Sequence, residues 1–314
     1  MACQSDYITI NRDNPSRSRL YASDLPGVEN LLLELISKDS ESMDEVWSRI
    51  YSNAWSNLVA DVQAFLQQKY FVNQKLISRE TSEFKADVNV NSGLAGVRIQ
   101  FNLPRYGVLH IVSVGVYTES GAASPGAAIQ FYEDDETGEL LHETDQQIGA
   151  GKNTIFVDQD FEVDKLFVAF DPAIFQFRET ENKFYNNGYP TWNKFECMYP
   201  CFGGQASVKQ INGGGVNVVF DVYCSAEKFV CQNINLFAKT FWWKIGQEFI
   251  VERRYGNRLN EFTTMTQERA EELTAFYQAN YSQALNNSLE SHNIYEDPFC
   301  FECKGSVSTK TILP

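Results

Sequence analysis

The chain has 314 residues and a formal net charge of −15, and 43% of its residues are hydrophobic while 21% are charged. This length and composition are typical of a folded protein of one to three domains and exclude a disordered chain. The acidic balance argues against nucleic-acid binding as the main function, because neutralising phosphates requires a basic face.

The N-terminal part of the chain predicts an arm followed by helices. Residues 1–24 are polar, and the apolar run after Asp24 predicts a short helix. Beyond it, apolar residues recur at helical spacing over several turns. They are Val46, Ile50, Ala54, Leu58, Val62 and Phe65. We predict one long helix here, capped at its start by Ser42 or Asp44.

The middle of the chain predicts strands. Short β-branched and aromatic segments separated by turn signals lie at 97–103, 108–117, 127–134, 139–144, 153–158 and 165–171. This spacing favours an antiparallel β-sandwich of the jelly-roll type. The segments SVKQI and VNVVFDVYCS, separated by the NGGG stretch at 212–215, predict a late hairpin of the same sheet.

Helical spacing returns after Cys224 and again in the segment at 263–292. The second helix is expected to begin with a capping box of Thr264 and Gln267. Neither helical part can bury its apolar stripe alone, so we expect the two chain ends to pack together. The predicted fold is α+β: a discontinuous helical bundle (residues 1–80 and 226–314) with an inserted antiparallel β-sandwich (81–225).

Targeting signals are not apparent in the sequence. The N-terminus has no apolar signal segment, and no run of about 18 apolar residues predicts a membrane span. We therefore expect synthesis in the cytoplasm, no membrane partner, and mostly reduced thiols among the seven cysteines.

No catalytic motif is recognisable. The three histidines, His110, His142 and His292, have no second ligand at metal-binding spacing, and no nucleophile-elbow motif occurs. A surface or core position is the favoured interpretation of these histidines. The sequence predicts a protein that is not an enzyme.

An aromatic loop at 183–204 is the first candidate binding region. Its rings can anchor a partner protein or stack on a glycan, or they can simply be buried against the sandwich. The residues proposed for partner or glycan contact are Tyr185, Tyr189, Trp192 and Tyr199.

Two close cysteine pairs form the second candidate site, Cys197 with Cys201 and Cys300 with Cys303. Two such pairs supply the four thiolates of a tetrahedral structural zinc site. Packing as small buried hydrophobic residues is the simpler alternative. The spacing leaves both interpretations open. Structural zinc is the one cofactor that the sequence suggests.

Several segments resemble one family of phage proteins. They are LYASDLPG at 20–27, the strand ending in KLFVAFD, the stretch from Cys224 to Thr264, and the terminal CFECKGSVSTKTILP. They are similar to virion structural proteins of Bacteroidetes phages and prophages, including crAss-like phages.

The resemblance implies a head–tail adaptor or tail ring protein that is assembled in the bacterial host cytoplasm and resides in the virion. Its expected partners are identical copies in a ring, the portal and other tail proteins, with DNA passing through without specific binding. An acidic surface suits such a channel, because carboxylates do not trap a passing polyanion. The alternative is a glycan-binding β-sandwich module of a virion or cell-surface complex.

Overall fold

The computed structural model describes residues 3, 6–28, 42–72, 77–81, 83–89, 93–100, 103, 105–118, 128–134, 137–146, 148–171, 178–181, 184–186, 189–191, 207–212, 215–255, 266–290 and 300–303. Only the backbone is described at 69–72, 77–80, 83–89, 128, 145, 178–181, 184–186, 189–191, 207–210, 255 and 301–303. The short helix expected after Asp24 falls largely on residues 29–41, outside the described residues.

Four α-helices are described. They are α1 (Met43–Lys69), α2 (Ala226–Gln232), α3 (Ile234–Tyr255) and α4 (Gln267–Glu290), preceded by a short 3-10 turn at Ala22–Asp24. The predicted cap of α1 is confirmed: the backbone N–H of Ser42 donates to Glu45 Oε2 at 2.6 Å, and Glu45 N–H donates to Ser42 Oγ at 3.3 Å.

The start of α4 differs from the predicted capping box. The helix begins at Gln267 and Thr266 caps it, because its hydroxyl accepts from the backbone N–H of Arg269 at 3.3 Å, while Thr264 lies outside the described residues. The helical run after Cys224 is also divided into α2 and α3. Asn233 lies at the break, where its side-chain amide donates to the carbonyl of Phe229 at 2.9 Å. An asparagine that bonds the backbone in this way competes with helix continuation.

The helices from both ends of the chain belong to one compact unit, made of Met1–Phe71, Ala226–Glu296 and Cys303–Pro314. The apolar stripe of α1 packs on α3, and α3 packs on α4. The buried residues are Val46, Ile50, Ala54, Leu58, Val62 and Leu66 of α1, Phe237, Phe241, Ile245 and Phe249 of α3, and Ala270, Leu273, Tyr277 and Tyr281 of α4. The predicted α+β class with a discontinuous helical bundle is therefore confirmed.

The second compact unit, Val72–Ser225 with Asp297–Glu302, contains most of the strands. In chain order the strands are β1 (Tyr70–Val72), β2 (Ile77–Glu80), β3 (Glu83–Asn89), β4 (Ala95–Gln100), β5 (Gly107–Thr118), β6 (Ala128–Glu133), β7 (Leu140–Asp145), β8 (Gly151–Phe161), β9 (Lys165–Phe170), β10 (Arg178–Glu181), β11 (Phe184–Asn186), β12 (Tyr189–Thr191), β13 (Ser207–Ile211), β14 (Val216–Cys224) and β15 (Phe301–Cys303).

Two antiparallel sheets carry this unit, with strand orders β12-β11-β2-β14-β5-β8 and β13-β4-β9-β6-β7. The antiparallel pairs are nested: β6 pairs with β7, β5 with β8, β4 with β9, and β2 with β14. A long hairpin whose successive pairs alternate between two sheets is the jelly-roll arrangement. The predicted sandwich is thus present, and β3 pairs with β10 in a separate two-stranded sheet.

The core of the sandwich is built from alternating residues of both sheets. On β5 the inward residues are Leu109, Ile111, Val114 and Val116; on β14 they are Val216, Val218, Phe220 and Val222; and on β9 they are Leu166, Val168 and Phe170. Gly96 lets β4 approach β9 closely, because a Cβ at this position would lie 2.0 Å from the carbonyl oxygen of Val168.

The predicted hairpin of SVKQI with VNVVFDVYCS is wrong. These segments are β13 and β14, but β13 pairs with β4 in the five-stranded sheet while β14 pairs with β2 and β5 in the other. The stretch at 212–215 therefore crosses between sheets. Asn212 and Gly215 both adopt positive φ angles, of 51° and 81°, and the Asn212 side chain donates to the carbonyl of Leu94 at 2.8 Å.

Candidate functional site

The described structure has two concave surfaces that are candidate sites, one on each unit. The first is the groove between α3 and α4. These helices run antiparallel, because Ser288 Oγ donates to the carbonyl of Leu236 while Gly246 faces Tyr277. Gly246 allows the close approach, since a Cβ there would lie 2.2 Å from Cε1 of the Tyr277 ring.

The α3–α4 groove has a volume of about 750 Å³ and opens to solvent. Amide side chains, one lysine and one indole line most of it. They are Asn235, Lys239, Trp243, Asn280, Gln283 and Asn287, with Leu236 and Ala284 among the other lining residues. Carboxylates are missing from the lining residues that the structure describes, although the chain as a whole is strongly acidic.

Exposed apolar side chains flank this groove. Leu236 is 42% exposed and Phe276 is 41% exposed, and the Phe276 ring meets Trp243 edge-on at 5.7 Å between centroids. Val251, further along α3, is 43% exposed. Phe276 and Tyr277 are adjacent on α4, and the structure buries Tyr277 while it leaves Phe276 exposed.

Beneath the groove, a polar network joins the helices of the two chain ends. Asp61 on α1 accepts from the Tyr281 hydroxyl at 2.6 Å, and Lys244 lies 3.5 Å from the same carboxylate oxygen and 4.6 Å from the Tyr281 ring centroid. Burial, followed by the hydrogen bond to Asp61, raises the pKa of Tyr281 well above its usual value. Tyr281 therefore stays a neutral donor.

The second surface is a side-chain cluster on the outer face of the six-stranded sheet, which we call the outer-face cluster: His110, Asp158, Asp160 and Tyr223. His110 Nδ1 lies 2.8 Å from Asp160 Oδ1, and Nε2 lies 3.3 Å from Asp158 Oδ1. The Tyr223 hydroxyl donates to the second oxygen of Asp160 at 2.6 Å. Asp160 on β8 is thus contacted from two other strands, β5 and β14.

The strand register, a bulge in β8 and a positive φ angle at Asp158 explain why these side chains meet. His110 on β5 is directly opposite Asp160 on β8, and both point away from the sandwich core. One step along, the pairing of Ile111 with Gln159 is followed by that of Ser113 with Phe156, so β8 has an extra residue at this bulge. Asp158 lies in the bulge with a φ of 49°, and bulges of this kind redirect a side chain.

The cluster lines an open concavity of about 590 Å³, together with Gln159. Phe156 precedes Asp158 by two residues on β8, and its pairing with Ser113 places it on the same outer face. Its side chain is 73% exposed, the highest value among the large apolar residues that the structure describes as exposed. β8 is an edge strand of its sheet.

The predicted aromatic region is only partly described. Tyr185 and Tyr189 lie on β11 and β12, which form an antiparallel hairpin at the edge of the six-stranded sheet, so this part is not a loop. Only their backbone is described. Trp192 and Tyr199 lie outside the described residues, and contact of these four residues with a partner or glycan stays a prediction.

The predicted zinc ligands are also only partly described. Cys197 and Cys201 lie outside the described residues, and only the backbone of Cys303 is described. Cys300 forms a disulfide with Cys224, which is a different partner from the one proposed. Because zinc binds thiolates, Cys300 could serve as a ligand only after reduction. The zinc site stays a prediction.

The expectation of mostly reduced cysteines differs from the structure, in which all four cysteines whose side chains are described form disulfides. Cys3 pairs with Cys231 in the helical unit, and Cys224 pairs with Cys300 in the sandwich unit. Each bond joins positions far apart in sequence, by 228 and 76 residues respectively. Local spacing, on which the zinc hypothesis depended, cannot reveal such partners.

Within the described ranges, no group of three or more His, Cys, Asp or Glu side chains is arranged to hold a metal ion. Of the four helices, as far as their residues are described, none has an apolar stretch long enough to cross a bilayer.

Sequence reasoning gave His110 no role and did not single out Phe156, Asp158, Asp160 or Tyr223. A signal was present on β8, where an aromatic residue and two aspartates occupy alternate positions. Alternate residues of a strand share a face. The partners on β5 and β14 depend on register, which the sequence alone did not specify.

Comparisons with known proteins give no family. No protein-family model and no curated protein matches the chain. Among solved structures, the D1-D2-D3 domains of the flagellar cap protein FliD from Escherichia coli align with 9% identity over 75% of this chain and 89% of that chain. The TM-score is 0.12, and a likeness of this strength carries no argument about fold or function.

Proposed function

We propose that the protein is a non-enzymatic structural subunit of a phage particle, which assembles with identical copies into a ring at the head–tail junction. The portal and other tail proteins are its further partners, and it is incorporated into the virion after assembly in the host cytoplasm. The proposal starts from the resemblance of its sequence segments to virion proteins of Bacteroidetes phages.

The α3–α4 groove is the observation that carries the assembly part of this proposal. Leu236 and Phe276 are both large and exposed, and they flank a groove of about 750 Å³ on a helical surface. Single exposed apolar residues are ordinary, but exposed apolar residues grouped on one surface among polar ones mark interaction sites. Trp243, next to Phe276, is of the residue type that most often dominates binding energy at interfaces.

A second copy of this chain is the occupant that we propose for the groove. The groove presents Lys239 among uncharged amides, and the exposed first turn of α4 presents Glu268 and Glu271. A lysine on one surface and carboxylates on another allow a head-to-tail contact between copies. Such heterologous contacts produce rings when the rotation closes.

The net charge of −15 supports the position around a DNA channel. Carboxylates repel the phosphate backbone, so a ring of acidic subunits lets DNA pass without binding it. No specific contact with DNA is part of the proposal.

Electron microscopy and mass photometry of the purified chain, alone and with the portal protein of the parent phage, test this function. We expect rings, either free or on the portal. Leu236→Asp and Phe276→Asp should each weaken assembly by about tenfold or more, because a carboxylate would be buried without a partner. Leu140→Asp is the matched control, since Leu140 is 45% exposed on the sandwich and outside the groove.

The charge part of the contact has its own test. Lys239→Glu should weaken assembly, and the triple change of Lys239→Glu with Glu268→Lys and Glu271→Lys should restore part of it. A chain that stays monomeric and does not bind the portal overturns the proposal. Rings that form equally well with Asp at positions 236 and 276 overturn the assignment of the groove.

A further inference from the structure

We infer that the outer-face cluster, together with Phe156, is a binding site for a neutral saccharide. The site lies on the sandwich and is independent of the ring assembly proposed above. It also differs in position from the aromatic region around Tyr185 and Trp192.

An aromatic ring and two carboxylates lie on the outer face of one strand, β8. Phe156, Asp158 and Asp160 are all exposed, with Phe156 on one side of the bulge of β8, Asp158 within it and Asp160 on the other side. A sugar that stacks its C–H face on Phe156 would place hydroxyl groups within reach of the Asp158 carboxylate.

Asp160 is held in place by His110 and Tyr223. One of its oxygens contacts His110 Nδ1 at 2.8 Å and the other accepts from Tyr223 at 2.6 Å. Each carboxylate oxygen has two lone pairs, so both keep acceptor capacity for a sugar hydroxyl. Contacts from β5 and β14 fix the Asp160 carboxylate before a ligand binds, and this lowers the entropic cost of binding.

The shape and charge of the site also suit a neutral saccharide. The concavity of about 590 Å³ lies in the size range of small-ligand sites and is open enough for one or two sugar rings of a longer chain. Its two aspartates disfavour phosphate, sulfate and uronic-acid ligands, because like charges repel. A neutral polyol with many hydroxyl donors fits carboxylate acceptors best.

Protection of the sheet edge is the competing explanation. Edge strands often carry charges and bulges that prevent pairing with another chain, and β8 has both. Edge protection does not require a phenylalanine that is 73% exposed, nor a carboxylate held by His110 from β5 and by Tyr223 from β14. The combination is better explained by a ligand.

Calorimetric titration of the full chain with cellotetraose, maltotetraose, xylotetraose and mannotetraose tests the inference, with tetragalacturonic acid as the anionic comparison. N-acetylarginine amide tests the competing possibility that the carboxylates bind a cationic side chain. We expect at least one neutral tetrasaccharide to bind with a Kd below about 1 mM, and the anionic one not to bind.

Two substitutions link binding to this site. Phe156→Ala removes the stacking surface, and Asp158→Asn removes the charge while keeping a residue that tolerates the positive φ of this position. Each should lower the association constant by about tenfold or more, equivalent to about 1.4 kcal/mol. Leu140→Ala, an exposed apolar truncation on the other sheet, should change it less than about twofold.

The outcomes separate clearly. Failure of all four neutral tetrasaccharides to bind at about 10 mM overturns the inference, as does saccharide binding that both variants leave unchanged. Binding of N-acetylarginine amide that depends on Asp158, without saccharide binding, also overturns it and assigns the site to a protein partner. Thermal melts of each variant identify any that fail to fold, and Asp160→Asn then replaces a misfolded variant.

Discussion

The hydroxyl of Tyr281 on α4 donates a hydrogen bond of 2.6 Å to Asp61 on α1, which is 220 residues earlier in the chain. Lys244 on α3 lies 3.5 Å from the same carboxylate oxygen. Three helices from opposite ends of the sequence thus share one partly buried carboxylate. This contact, together with the apolar stripes, joins the chain ends into a single helical unit.

Removing the Tyr281 hydroxyl should destabilise the helical unit. Tyr281→Phe keeps the ring but leaves Asp61 without its strongest donor, and a hydrogen bond to a charged group contributes about 1.5–3 kcal/mol. Urea denaturation followed by circular dichroism measures the change. Tyr132→Phe in the sandwich, whose hydroxyl donates to Gln130, is the control and should cost less than about 1 kcal/mol. Equal effects of the two substitutions would contradict the role given to Asp61.

Adding a methyl group at Gly246 should also destabilise the protein. Alanine favours an isolated helix by about 1 kcal/mol relative to glycine. Here its Cβ would lie 2.2 Å from the Tyr277 ring, and overpacking costs about 1–3 kcal/mol. We expect a net loss of up to about 2 kcal/mol in the free energy of unfolding of Gly246→Ala, measured by urea denaturation.

Two further variants isolate the clash. Tyr277→Leu in the Gly246→Ala background should cost less than it does alone, because the ring that clashes is gone. Gly149→Ala, whose Cβ would meet nothing closer than 3.8 Å, should change stability by less than about 0.5 kcal/mol. A Gly246→Ala protein more stable than the parent would refute the close approach of α3 and α4.

Alkaline pH should destabilise the helical unit, because three of its tyrosines are buried as neutral phenols. Burial raises the pKa of Tyr51 from 10.0 to about 12, although hydrogen bonds from the backbone of Ile8 and Tyr7 lower it in part. Burial also raises the pKa of Tyr277 and of Tyr281. The neutral phenols are therefore favoured in the folded state.

The sign of the effect follows by linkage. The stability contributed by these tyrosines is fully present below the unfolded value of about pH 10 and is lost as pH rises toward the folded value of about 12. The urea midpoint of unfolding should fall as pH rises across this range. In Tyr51→Phe the free energy of unfolding should fall less steeply, by on the order of 1 kcal/mol. The same slope in both proteins would show that Tyr51 does not contribute.

The two disulfides should contribute separately to the two units. Peptide mapping without reduction should recover the Cys3–Cys231 and Cys224–Cys300 links. Loss of either bond should cost about 2–4 kcal/mol, because each closes a long loop in the unfolded chain. Cys231→Ser and Cys300→Ser make the two losses one at a time. Recovery of all seven cysteines as free thiols from air-exposed native protein would contradict both pairings.

The zinc hypothesis has a direct measurement. If Cys197, Cys201, Cys300 and Cys303 bind one ion, freshly reduced protein should contain stoichiometric zinc at neutral pH, and Cys300→Ser should lower the content. Zinc well below one ion per chain in the reduced protein removes the hypothesis. The disulfide of Cys300 with Cys224 predicts that oxidation and zinc binding exclude each other.

Local pattern was enough to predict most of the described elements. The stripe of α1 was read directly from its spacing, and six of the strands, β4 to β9, match the predicted segments within a few residues. The candidate sites were predicted poorly by comparison. The outer-face cluster joins residues from β5, β8 and β14, and the register between these strands, with the bulge in β8, brings them together.

Periodicity in the sequence by itself determined where helices and strands form and that the two chain ends need each other, because burying an apolar stripe is a property of each segment. Tertiary structure alone decided that β13 and β14 join different sheets, that Tyr277 is buried while Phe276 is exposed, and that Cys300 pairs with Cys224. These choices depend on partners distant in sequence, whose competition for the same hydrogen bonds and the same space is settled only when the whole chain packs.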